Sequence, residues 1–235
     1  MVTDVTIERA LAVMAHPDDV DFGAAGTIAQ WVDSGIEVSY CIITDGDAGG
    51  FDPAVPRDQI GGIRRDEQRA AAKEVGIEDV RFLGYPDGRL QVSLDLRRDI
   101  ARVIREVRPQ RVVCQSPVRN MLRAPASHPD HLAAGEATIC AVYPDARNPF
   151  AFPELADLPA WSVAETWVQG YERINRYIDV TDVWERKMTA LRAHVSQHPK
   201  PEALDGLMRG WNGNNAIAAG LPAGRVAEAF WVFAT

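Results

Sequence analysis

Two His-Pro-Asp tripeptides stand out in this 235-residue sequence: His16-Pro17-Asp18 in LAVMAHPDDVDFGAAG and His128-Pro129-Asp130 in ASHPDHLAAGE. Asp19 extends the first and His131 the second. Imidazole and carboxylate groups together suit zinc, which in catalytic sites takes three protein ligands and keeps one position open for water. Proline fixes one backbone angle in each turn and holds the flanking groups at a set offset. The adjacent Asp18 and Asp19 permit a division of labour, one carboxylate binding the metal and its neighbour taking a proton from the water. A lone histidine at a strand end is more often an ordinary hydrogen-bonded residue, and Asp beside Gly is common in turns. The second copy of the motif, expected at the same sheet edge, makes the reading a site.

The elements that must bring the two motifs together are legible in the first two-thirds of the chain. RALAVMA (9–15) is a short apolar run of the buried-strand type, GTIAQWVDSG (26–35) has helical spacing, and EVSYCIIT (37–44) is rich in β-formers. A helix is expected over 58–76 and a strand over 80–84. A helix capped by Ser93 should stop at Pro109, before the strand RVVCQ (111–115). Such alternation predicts an α/β fold, a Rossmann-like and mostly parallel sheet flanked by helices. Ligands collect at the carboxyl ends of the strands in such sheets. The residues after the first three strands, and the HPDH segment after the fourth, should therefore meet at one edge.

From about Pro144 the pattern loosens into a Pro-rich loop. Strands are expected in AETWVQGY and NRYIDVT, a helix capped by Thr181 or Asp182 in DVWERKMTALRAHVSQ, and a last strand in AEAFWVFAT. The expected organisation is a single domain over 1–235. Its core is Rossmann-like over 1–143, and a smaller, loop-rich α/β extension over 144–235 completes the fold.

A net charge of −8 with no basic run argues against nucleic acid or an anionic membrane as the main partner. No apolar run is long enough to span a bilayer, and no secretory signal is legible, so the expected compartment is the cytoplasm. The three cysteines, Cys41, Cys114 and Cys140, are far apart, form no CxxC pair and read as reduced and buried. Neither HExxH nor PCxxC occurs, and the GDAGG stretch at 46–50 lacks the spacing of a dinucleotide loop.

AHPDDVDFGAAGT together with HPDH resembles the LmbE-like (PIG-L type) zinc-dependent de-N-acetylases. TDGDAGG, Arg64-x-x-Glu67, FLGYPDGRL and VTDVWERKMTALRAHVSQ match in order and spacing, so the resemblance covers about residues 9–198. It implies an enzyme that removes the N-acetyl group from a small N-acetylglucosamine-type conjugate, giving acetate and a free amine. It implies that His16, Asp19 and His131 are the Zn2+ ligands, in a site that also accepts Fe2+ or other divalent ions. Asp18 is then the general base. His128 stabilises the developing oxyanion and protonates the leaving amine, and Asp130 orients one of the histidines. Arg64, Asp87 and the Gly46-Asp47 loop are the implied substrate contacts. Relatives often carry Glu directly after the two aspartates, where this chain has Val20 and then Asp21. His194 also matches the family pattern, with a capping or packing role as the alternative. Trp211, in RGWNGNN, is read in a Gly/Asn loop as a packing residue or a platform for a sugar. Oligomers occur among relatives, which leaves a homo-oligomer open. Three rival functions are a zinc amidase for a larger acyl group, a non-catalytic sugar- or metal-binding protein, and a nucleotide-binding Rossmann protein. Retention of Asp18 and His128 speaks against the second, and the missing phosphate loop against the third.

Overall fold

The computed structural model describes residues 5–121, 124–198 and 200–235. Residues 122 and 123, shortly before the second His-Pro-Asp motif, therefore lie outside the described residues. Strands β1 (Arg9–Met14), β2 (Glu37–Thr44), β3 (Val80–Tyr85), β4 (Arg111–Gln115), β5 (Glu165–Gln169), β6 (Arg176–Asp179) and β7 (Ala227–Ala234) form one sheet. Its order is β3-β2-β1-β4-β5-β7-β6. The first five strands are parallel, whereas β7 runs antiparallel between β5 and β6. The fold expected from the alternating pattern is the fold observed. β5 extends the parallel part of the sheet, so the segment after residue 144 does more than append to it.

Strand β1 is central and buried on both faces, which is why its sequence is apolar without alternation. Ala10, Ala12 and Met14 face a core built with α2 (Ala25–Asp33), α3 (Arg57–Glu74), α6 (Trp184–Arg192) and α7 (Pro201–Ala218). Leu11 and Val13 face a second core built with α4 (Leu94–Val107) and α5 (Pro129–Cys140). No helix among the described residues is long and apolar enough to cross a membrane.

Several helices differ from expectation. A short helix, α1 (Asp19–Gly23), occupies the DVDFG turn, and the HPDH segment opens α5 with Pro129 in its first turn. Proline in the first turn with an acidic neighbour is a helix-start signal that the metal-ligand pattern overshadowed. Trp211 lies inside α7 rather than in a loop, since packing of the helix against β7 and β6 outweighs the weak propensity of its Gly and Asn residues. Helix α6 stops at Arg192, and neither Thr181 nor Asp182 caps it; Thr181 Oγ1 instead donates to Asp179. The Pro-rich loop is ordered by Arg105, buried in α4, which donates to the carbonyls of Asp145, Ala146, Asn148 and Leu155.

A buried ion pair ties the last strand to the first helices. Lys187 Nζ lies 2.6 Å from Glu228 Oε1, with side-chain exposures of 0% and 1%. The ammonium also donates to the carbonyls of Asp21 and Phe22 at 2.9 and 2.7 Å. Glu228 in turn accepts the Gly26 and Thr27 amides at the start of α2. A Cβ at Gly26 would lie 2.7 Å from Val180 Cβ, so this close approach requires glycine. Every group of the pair is satisfied, and removing one partner would strand a buried charge. Lys187→Met is expected to lose about 3–5 kcal/mol of stability, read as a lowered urea midpoint at unchanged slope.

Candidate active site

Strand order reverses between β1 and β4, and the crevice outside their carboxyl ends is where an open α/β sheet binds ligands. Both His-Pro-Asp motifs arrive there. His16 and Asp19 leave β1 directly, and His128 and His131 come from the start of α5, which packs against β4.

The rings of His16, His128 and His131 gather with centroids 5.1–5.4 Å apart. Each offers a nitrogen within 4.8 Å of the others. Asp19 lies between two of them, Oδ2 being 3.2 Å from His16 Nδ1 and Oδ1 3.0 Å from His131 Nε2. The opposite nitrogen of His16, Nε2, lies 3.0 Å from Asp87 Oδ1 and 3.3 Å from Asp130 Oδ2. Asp130 is itself anchored by the Gly88 and Leu90 amides. A second grouping, His16 with Asp87 and Asp130, also meets the spacing for a metal. Because Asp130 accepts those two amides, it fits better as the group that fixes the His16 ring. A carboxylate on the far nitrogen of a ligating histidine is the usual arrangement around a bound metal. The three histidine nitrogens form the first grouping that meets the spacing for a metal, and the Asp19 carboxylate borders two of those rings.

Electrostatics separate the two adjacent aspartates. Burial works against the Asp19 charge, yet His131 and His16 hold its carboxyl well below the usual range. Burial pushes the Asp18 carboxyl up to about 6, with Asp19 adding to the shift and Arg64 opposing it. Burial would lower His16, but Asp130, Asp19 and Asp87 raise it to about 12. His128 is lowered, by burial and then by His16 and His131. Its Nδ1 accepts the Asp130 amide at 3.2 Å, which places the proton of the neutral ring on Nε2.

Arg64 is 4% exposed, and its guanidinium faces Pro17 O (2.7 Å), Gly46 O (3.0 Å) and Asp18 Oδ2 (3.1 Å). Asp87 turns to His16, with Arg64 3.8 Å away, rather than outward. Gly46 has φ +66°, and a Cβ there would strike the Arg64 guanidinium. Asp47 accepts the Asp87 amide at 2.9 Å, joining the loops that follow β2 and β3. His194 is buried and bonds Asp21 through Nε2 at 2.9 Å. His198 is half-buried with its ring against Phe22. Sequence reasoning missed the glutamines: Gln115 accepts the Ala15 amide, Gln169 donates to Asp19 O, and Gln68 bonds both Asp18 and Asp21. Neutral amides at helix and strand positions carry no pattern that marks them as partners of a distant turn.

Residues 11–142, more than half of the chain, match the family model described as PIG-L: GlcNAc-PI de-N-acetylase. The chain belongs to the PIG-L family. Diacetylchitobiose deacetylase of Thermococcus kodakarensis is 32% identical over 83% of this chain and 72% of that protein. A 1D-myo-inositol 2-acetamido-2-deoxy-alpha-D-glucopyranoside deacetylase of Actinosynnema mirum is 30% identical over 80% of each. The crystal structure of N,N'-diacetylchitobiose deacetylase from Pyrococcus horikoshii aligns with a TM-score of 0.88 at 29% identity, over 97% of this chain and 84% of that one. The enzyme class expected from the motifs, an N-deacetylase, is the class for which these PIG-L relatives are named.

Three carboxylates crowd His16 and raise its pKa, so any cation bound at this ring competes with a proton. A raised histidine pKa therefore weakens metal binding as pH falls. Calorimetric titration with Zn2+ in buffers of different ionisation enthalpy should show proton release on binding. Apparent affinity should decrease steadily from pH 8 to pH 6.

Proposed function

We propose that this PIG-L member is a zinc-dependent hydrolase that removes the N-acetyl group from a small N-acetylglucosamine conjugate. The observation that carries this reading is the pair of neighbouring carboxylates in opposite environments. Asp19 is drawn down among the histidines, while Asp18 stays off the donor set with its carboxyl raised to about 6. In this reading His16, Asp19 and His131 hold the cation, and Asp87 and Asp130 fix the His16 ring. When bound, the cation supplies Lewis-acid chemistry, polarising the amide carbonyl and making water easier to deprotonate.

The protein's own groups do the rest. Asp18 takes the proton of the attacking water, being a carboxylate ionised near neutrality yet basic enough to hold that proton. His128 presents Nε2–H from an exposed position at the start of α5 and donates it to the oxygen on which charge develops. The leaving amine needs a proton, because an amide anion departs poorly. His128 Nδ1 is engaged as an acceptor, so the ring holds a hydrogen bond rather than a proton to release. The carboxyl of Asp18, protonated in the first step, is the group with a proton to give. Acetate and a free amine result. The relatives' named substrates share a 2-acetamido sugar, which favours an amino-sugar conjugate for this chain.

The test is amine release from a panel of N-acetylglucosamine conjugates, with metal-loaded and chelator-treated protein run in parallel. Metal-dependent release from at least one conjugate is expected. Bound metal with no release from any would sink the proposal. Asp18→Asn should keep stoichiometric metal and lose about 100- to 10,000-fold in turnover. The acid limb of kcat/KM should fall at or below about pH 6, since the base works only when deprotonated and a cation nearby can only lower its pKa. His128→Ala should cost about 100- to 1,000-fold in kcat. His128→Gln, which keeps an N–H donor but carries no transferable proton, should retain clearly more; equal losses would return the acid role to His128.

A further inference from the structure

Asp18 is one of two non-glycine residues with positive φ among the described residues, at φ +87° and ψ −27°. That conformation is sterically unfavourable for a residue with a Cβ and persists only where the surroundings impose it. The Pro17–Asp18 peptide unit is gripped at both ends. Its carbonyl, Pro17 O, accepts from Arg64 Nη2 at 2.7 Å. Its amide, Asp18 N–H, donates to Gln68 Oε1 at 2.8 Å. Arg64 and Gln68 are four residues apart on α3 and so project from one face of the helix.

Gln68 is fully buried, and its second bond fixes which way the amide points. Nε2 donates to Asp21 Oδ2 at 2.9 Å, and a carboxylate there can only accept. The Asp18 backbone N–H can only donate, so Oε1 must face it. A residue at 68 therefore has to accept on one side and donate on the other, which glutamine does, an ionised Glu does only in part and Met not at all. The same Asp21 oxygen meets His194 Nε2 at 2.9 Å, so the brace ends on a buried histidine. The segment carrying His194 is in turn fastened to α3, because Glu67 accepts from both the amide and the hydroxyl of Ser196 at 2.7 Å.

We propose that Gln68 is a positioning residue: with Arg64 it clamps the Pro17–Asp18 peptide in its left-handed conformation and thereby aims the Asp18 carboxylate. The inference rests on the reading of Asp18 as the base. Its consequences in structure can be read whether or not that reading survives. Gln68 touches neither the donor set nor open space, and its loss acts through orientation alone.

The experiment compares Gln68→Met, which keeps the volume and removes both hydrogen bonds, with Gln68→Glu, which keeps an acceptor for Asp18 but replaces the amide donor to Asp21 with a second carboxyl. The first readout is a crystal structure of each variant loaded with Zn2+. Gln68→Met should show the Pro17–Asp18 peptide rotated and Asp18 away from φ +87°. An unchanged peptide overturns the proposal, whatever the activity. The second readout is kinetic. Gln68→Met should lower kcat by about 10- to 100-fold, with KM within about threefold and zinc content unaltered, and Gln68→Glu should fall between it and the parent. Loss of zinc in proportion to activity would make Gln68 a support of the metal site and overturn the assignment, as would full kcat with a rotated peptide. If the parent protein releases no amine, the deacetylase reading fails, and the variant structures alone decide whether the clamp exists. If Gln68→Met does not fold, the same two readouts on Gln68→Glu decide, since loss of its donor to Asp21 should shift the peptide partway.

Discussion

The constraint on which this structure turns is the exit from β1. The chain must leave a fully buried strand at Met14 and begin a helix at Asp19, with His16 and two carboxylates presented on the way. It does so by placing Asp18 in the left-handed region, where few non-glycine residues sit. Supports for the turn arrive from across the fold. Gln115 of β4 holds the Ala15 amide, Gln169 of β5 holds the Asp19 carbonyl, and α3 supplies Arg64 and Gln68. Lys187 of α6 and Glu228 of β7 fix the joint between α1 and α2. A strained turn held by five elements is rigid, and a site that must place reacting groups to within fractions of an ångström needs that rigidity.

The supports differ in kind according to where they sit. Close to the donor set three of the four are neutral amides, which hold backbone groups without adding charge; Arg64 is the charged exception. Further back they are charged. Lys187 and Glu228 meet where no water reaches, and each is also bonded to backbone groups. Such a pair gives little net stability over an apolar substitute but penalises every arrangement in which the partners do not meet. Here that penalty selects one packing of α1 and α2 against α6 and β7, the packing that delivers the β1 exit in its observed form.

Much of this was legible in the sequence, and what was not has physical reasons. The sheet could be read because buried strands leave apolar runs and helices leave a 3.6-residue period. The convergence of His16, Asp19, His128 and His131 followed from topology, since residues after successive parallel strands share one edge. Helix α5 was hidden because a histidine before Pro-Asp reads equally as a turn. Helix α7 was hidden because glycine and asparagine argued locally for a loop, while contacts with β7 and β6 decided otherwise. Asp87 and Arg64 were expected at the substrate and lie turned inward, onto His16 and the Asp18 turn. Their charge could be read from sequence; the direction of their side chains is set by neighbours far along the chain.

The separation of Asp18 from Asp19 shows how two identical, adjacent side chains acquire different chemistry. Both are drawn away from water, a change that alone would raise both pKa values. Asp19 lies between two imidazoles that gain protons as it loses its own, so it stays ionised. Asp18 bonds one cation, Arg64, already shared with two backbone carbonyls; His194 and His16 act on it less, and it feels the charge of Asp19 beside it. Burial therefore prevails at Asp18 and not at Asp19. The left-handed conformation of Asp18 makes the difference geometric, because a continuous helix or strand would fix the angle between the two carboxylates by its own period. The turn instead sends one into the ring of histidines and leaves the other beside it, able to hold or release a proton near neutral pH.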